Sequence, residues 1–151
     1  ETLNILPPYL RNETEDNPAA IDYRDWHVPL GRRFRALKLW FVLRSYGAEN
    51  LRTFIRSHVA WAKELESRVI NDSRLELIAP RTLALVCFRH TDGNDATREL
   101  ADAINASGSA YVTPSVTDDV SYIRVSIGST WTEQRHVEDL WDLIDSNAGL
   151  K

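Results

Sequence analysis

The chain has 151 residues, 43% hydrophobic and 26% charged, with a formal net charge of -4 and a pI near 5.6. That is the size and balance of one globular domain with its own core, and the acidic excess gives no long-range pull toward nucleic acid or an anionic membrane. No apolar run reaches the length of a membrane span, and the N-terminus has no signal-peptide pattern.

Residues 1 to 20 carry Pro7-Pro8 and Asn17-Pro18 with little periodicity, which predicts a loop. Methionine is absent from the sequence. The expectation is therefore a piece cut from a longer polypeptide, with Glu1 marking cleavage in an exposed loop. Residues 21 to 34 mix aromatics and charges around Pro29 and Gly31, as an irregular packed connector does. Leu37 to Tyr46 predicts a short buried helix, with Gly47 suited to its C-terminal cap.

Next, Leu51, Phe54, Ile55, His58, Ala62, Leu65 and Val69 recur at helical spacing, with Arg52, Arg56, Lys63 and Arg68 on the opposite face. Strands are expected at Leu75–Ala79 and Leu83–Arg89, joined through Pro80. Thr97–Ala106 predicts a helix. Ala110–Val116 and Tyr122–Ile127 predict two more strands around Thr117-Asp118-Asp119. In the final helix, Thr130 and Glu133 have capping-box spacing, and Val137, Leu140, Trp141 and Ile144 form one apolar face. Short strands among helices predict an α+β domain: a small antiparallel sheet with helices on one face.

Candidate chemistry is sparse. His27, His58, His90 and His136 are far apart and form no metal-ligand spacing. His58 falls on the helix's apolar face, where a satisfied core or interface role is expected. Cys87 sits in the apolar run Leu83 to Phe88 and is expected to be a buried, inert thiol. A lone cysteine forms no internal disulfide, which fits a reducing compartment. Arg24, Arg32, Arg33, Arg35 and Lys38, interleaved with Trp26, Phe34 and Trp40, suit either an ion-paired interface or the holding of a phosphate-bearing ligand.

The run Asp22-Tyr23-Arg24-Asp25-Trp26-His27-Val28-Pro29-Leu30-Gly31-Arg32-Arg33-Phe34-Arg35-Ala36-Leu37-Lys38-Leu39-Trp40-Phe41-Val42 is dense in rare residue types. It closely resembles the segment shared by group II pyridoxal-phosphate-dependent decarboxylases, the family of the DOPA, tryptophan, tyrosine and histidine decarboxylases. The likeness continues through Tyr46-Gly47, the long helix, Leu85 to Arg89 and the last strand and helix. It implies the α/β fold of type I pyridoxal-phosphate enzymes, like aspartate aminotransferase. Residues 1–37 would end the large cofactor-binding domain, and 38–151 would form the C-terminal small domain.

The resemblance also implies an activity: conversion of an aromatic amino acid to its amine and CO2, in a cytoplasmic homodimer with active sites at the subunit interface. Pro7-Pro8-Tyr9-Leu10 matches the family's mobile loop, so Tyr9 would be the catalytic general acid. A phenol with a pKa of about 10 arrives protonated at neutral pH and can return a proton to the substrate carbon after CO2 has left. Leu30 and Gly31 match a loop that reaches the neighbouring subunit's cofactor phosphate and substrate ring. Gly31, the pattern of DOPA and tryptophan decarboxylases, would leave room for a larger ring, favouring DOPA, tryptophan or 5-hydroxytryptophan. A glycine there also simply suits a turn after Pro29.

The family's Schiff-base lysine follows a histidine. The lysines here, Lys38, Lys63 and Lys151, do not. The expected partner is therefore the N-terminal portion of the same enzyme, carrying that lysine and most ligands of pyridoxal 5'-phosphate. Two alternatives stand beside this reading. An aldehyde synthase of the same family often has phenylalanine where Tyr9 stands. A non-enzymatic α+β interaction module is permitted by composition and periodicity alone.

Overall fold

The computed structural model describes residues 33–149. The chain divides into two compact units, Glu1–Ser45 and Tyr46–Lys151.

In the first unit the described residues open on a tight turn, in which the Arg35 N–H donates to Arg33 O at 2.8 Å. Helix α1, Ala36–Tyr46, follows. It was expected to be buried, but none of its side chains is, and Leu39, Trp40 and Phe41 are each more than half exposed. Apolar residues surround the helix rather than forming one stripe, the pattern of a helix covered on all sides, and the described residues do not cover it. Trp40 and Phe41 pack edge to face, and the Arg44 guanidinium lies 5.9 Å from the Trp40 ring centre.

Gly47 alone separates α1 from α2, Ala48–Asn71. Its φ of 73° is a conformation that side-chain-bearing residues avoid, which accounts for glycine at this junction. Along α2 the buried stripe is His58, Ala62, Leu65 and Val69, the C-terminal part of the expected face. Leu51 and Phe54 are half-buried, and Ile55 is exposed. Arg52 and Glu49 pair at 2.9 Å on the solvent side.

The remaining elements are β1 (Leu75–Leu77), β2 (Leu85–His90), α3 (Asn94–Ala106), β3 (Thr113–Thr117), β4 (Val120–Ser126) and α4 (Gln134–Asn147). The strands form one antiparallel sheet in the order β1-β2-β4-β3. Val86, Phe88 and His90 of β2, with Ser121, Ile123 and Val125 of β4, face inward. They meet Ala62, Leu65 and Val69 of α2, Leu100, Ala101 and Ile104 of α3, and Leu140 and Ile144 of α4. The opposite face is partly open, with Glu76 and Arg89 paired across β1 and β2 at 2.5 Å. Strand alternation and helix periodicity thus meet in one core, as the expected α+β arrangement requires.

Boundaries move where side chains capture the backbone. The Asn105 side chain accepts the Val112 N–H at 2.7 Å and donates to Val112 O at 3.1 Å, so β3 begins only at Thr113. Asn94 donates to Asp119 O and accepts from the Ser121 N–H, fixing the start of α3 ahead of the expected Thr97. At α4 the expected Thr130–Glu133 box is not what forms. Glu133 occupies the cap, and its N–H donates to His136 Nδ1 at 3.0 Å. Thr130 is held instead inside a turn closed by Thr132 N–H on Ser129 O.

Candidate functional site

Tyr9, Leu30 and Gly31 lie outside the described residues. What is described nearest to them in sequence is the cationic entry to α1. Arg33, Arg35 and Lys38 are exposed there, among the aromatic rings of Phe34, Trp40 and Phe41.

An amine that condenses with a carbonyl cofactor is activated by desolvation or by a neighbouring cation in an enclosed place. Lys38 and Lys63 are both exposed on helices, and neither follows a histidine. The described residues therefore do not supply a covalent anchor for pyridoxal phosphate. Among them, no group of three or more His, Cys, Asp or Glu side chains could hold a metal ion. No described helix is long and apolar enough to cross a membrane.

Cys87 departs from its expected burial. It alternates with Val86 and Phe88 on β2, so it points to the sheet's other face and is half-buried. Partial burial pushes its thiol up, against the pull of Arg124, its cross-strand neighbour. A thiol held in its protonated form is a weak nucleophile.

His58 is buried as expected, at 3% exposure, but its satisfaction is incomplete. The ring lies edge to face with Phe54 at 4.1 Å and Trp61 at 5.1 Å, and Nε2 has no hydrogen-bond partner. Helical spacing of Phe54, His58 and Trp61 builds this aromatic box, and a lone polar nitrogen within it finds no acceptor or donor.

Periodicity alone did not reveal two ionic ties. Arg74 grips both oxygens of Asp72, at 2.9 and 2.6 Å, and reaches Asp145 of α4 at 2.5 Å. The Arg74 hydrogen bonds hold the Asp72 carboxyl below its ordinary value. Arg81 joins Glu66 of α2 at 2.9 Å and donates to Leu83 O at 2.5 Å. This clamp holds Leu83 at a φ of 52° with its side chain 70% exposed.

Comparison with known proteins places this geometry. The family model described as the pyridoxal-dependent decarboxylase conserved domain matches residues 1–91. Tyrosine/DOPA decarboxylase 1 of Papaver somniferum is 42% identical, over 97% of this chain and 32% of its own length. The crystal structure of Oryza sativa TDC with PLP and tryptamine is similar with a TM-score of 0.84 at 40% identity, over 97% of this chain and 32% of that one. Rhodiola rosea 4-hydroxyphenylacetaldehyde synthase is similar with a TM-score of 0.77 at 44% identity, over 85% of this chain and 29% of that one. The chain spans about a third of the length of the curated relatives it matches. Its fold is that of the type I pyridoxal-phosphate decarboxylases. Since the family match covers residues 1–91, more than half of the sequence, and the fold agrees, the chain belongs to the pyridoxal-dependent decarboxylase family.

Proposed function

We propose that this protein acts as an aromatic L-amino-acid decarboxylase with pyridoxal 5'-phosphate, converting DOPA, tryptophan or 5-hydroxytryptophan to the amine and CO2. The observation that carries the proposal is the likeness over 97% of the chain to a protein solved with PLP and tryptamine, an aromatic amine. In this reading the Schiff-base lysine belongs to the N-terminal portion of the enzyme, and two copies pair as a homodimer in the cytoplasm. The cofactor, when bound, supplies an electron sink for the pair left as CO2 departs. Tyr9 donates its phenolic proton to the substrate α-carbon, and its loop keeps water from the reacting centre. Leu30 and Gly31 line the cofactor and ring end of the partner subunit's site, where the missing side chain leaves space for an indole.

The second reading, an aldehyde synthase, is favoured by the Rhodiola rosea similarity, for 44% identity is no lower than that to the decarboxylases. Overall identity therefore does not separate the two chemistries, and a residue that delivers the proton does. Tyr9 supports amine formation.

Tyr9→Phe in the intact enzyme tests this. Cofactor and substrate binding should stay nearly normal, while amine formation falls by about 10²–10⁴-fold, the usual worth of a general acid. In air the product should shift to aldehyde, with oxygen and water consumed and ammonia and hydrogen peroxide released. Amine, aldehyde and peroxide are measured together. Undiminished amine without aldehyde would remove Tyr9 from the proposal.

A further inference from the structure

We infer that His90 is a proton-operated latch on the turn leading into α3. The residue ends β2 on its inward face and is 7% exposed. Both ring nitrogens are engaged by main chain. Nδ1 accepts the Asp92 N–H at 3.0 Å, and Nε2 lies 3.0 Å from Ala148 O at the end of α4. An amide N–H only donates, so Nδ1 bears no proton. A carbonyl only accepts, so Nε2 carries the hydrogen. The geometry thus fixes one tautomer of the neutral ring without further assumption.

The same turn is closed by other bonds through His90. Its N–H donates to Thr97 Oγ1 at 3.0 Å, the Thr97 hydroxyl donates to Gly93 O at 2.7 Å, and the Gly93 N–H donates to His90 O at 3.2 Å. The cap of α3 is therefore assembled around this imidazole. A proton arriving on Nδ1 would set N–H against N–H and expel the Asp92 amide.

Charged groups stand ready for the other state. From the turn itself, Asp92 Oδ2 is 3.9 Å from Nδ1, too far for a hydrogen bond now but within reach of a side-chain rotation. From the α2–β1 turn, Asp72 is paired with Arg74, which also holds Asp145 of α4. From α3 the contact is the neutral Thr97. The charged ring can thus exchange the Asp92 amide for the Asp92 carboxylate, but it cannot keep both. The Nε2 bond to Ala148 survives in either state. Acid should loosen the turn and the first residues of α3, leaving the end of α4 in place.

Nuclear magnetic resonance of the intact protein between about pH 8 and about pH 5, the span in which histidine charge changes, tests the latch. At the upper pH, ring nitrogen shifts should report the Nε2–H tautomer. On acidification, the Asp92 amide should lose hydrogen-exchange protection by about fivefold or more, with the midpoint of the Nδ1 titration. The Ala148 amide, which donates to Ile144 O, should not change with it. In His90→Asn, a side-chain oxygen replaces Nδ1 as an acceptor that does not titrate, and the Asp92 response should vanish. If that variant misfolds, the wild-type spectra alone decide. An Nδ1–H tautomer at the upper pH, titration of His90 without change at Asp92, a ring that stays neutral throughout, or equal loss of protection at Asp92 and Ala148 each overturns the latch.

Discussion

Asp72 shows how one carboxylate joins two parts of the core. It caps α2 and receives three hydrogen bonds from Arg74, one from the backbone N–H and two from the guanidinium. The same guanidinium holds Asp145, so the α2–β1 turn is tied to α4. Because the folded state depresses the Asp72 pKa, its contribution is present above the ordinary carboxylate value and is lost as pH falls through the folded one. Asp72→Asn should cost about 1.5–3 kcal/mol at neutral pH, the range for hydrogen bonds to a charged group. That difference from wild type should shrink as pH falls below about 4, the ordinary carboxylate value, and vanish once pH lies below the depressed folded value. Denaturant melts of both proteins at several pH values check this. A gap that persists unchanged in acid would mean that the carboxylate charge is not its source.

At the scale of elements, the β3–β4 hairpin stands out for its turn chemistry. Asp118 and Asp119 have φ of 51° and 63°, and Thr117 pairs with Val120 across them. Two successive left-handed residues make the tight turn whose twist matches the strands, and glycine at its second position is the favoured choice. Asp119→Gly should stabilise the protein by about 0.5–1 kcal/mol, because the side chain that resists this backbone is removed. The midpoint of thermal unfolding should rise by a few degrees. A fall would show that Asp119 makes a compensating contact. By contrast β1 is only Leu75–Leu77, although its ladder reaches one residue further through the Ile78 N–H on Cys87 O. Pro80, lacking an N–H, suits the break that follows.

At the scale of the whole molecule, the proposed activity needs groups that the described residues do not provide. Lys38 and Lys63 are exposed, and the curated relatives are about three times as long as this chain. Pyridoxal phosphate mixed with this chain alone should keep the spectrum of the free cofactor. With the N-terminal portion of the enzyme present, a visible absorption band should appear, and native mass spectrometry should find both polypeptides held together. A visible band from the lone chain would overturn the placement of the lysine.

Much of the fold was legible in residue spacing. Helical spacing marked α2 and α4, and the apolar run Leu83 to Phe88 marked β2, because a core needs apolar side chains from each element. The family was legible in the run from Asp22 to Val42, and the family model and relatives agree with it. Tyr9, Leu30 and Gly31 came from that resemblance, since a tyrosine or glycine in a loop carries no period of its own. Tertiary structure decided what spacing could not. It exposed α1, whose apolar residues surround the helix, and turned Cys87 to the open face by a single step of strand register. It moved the cap of α4 to Glu133 and His136. It also joined His90 to Ala148, two residues far apart in the chain. Local pattern fixes which side of an element is apolar, whereas partners for polar atoms are chosen only when distant segments meet.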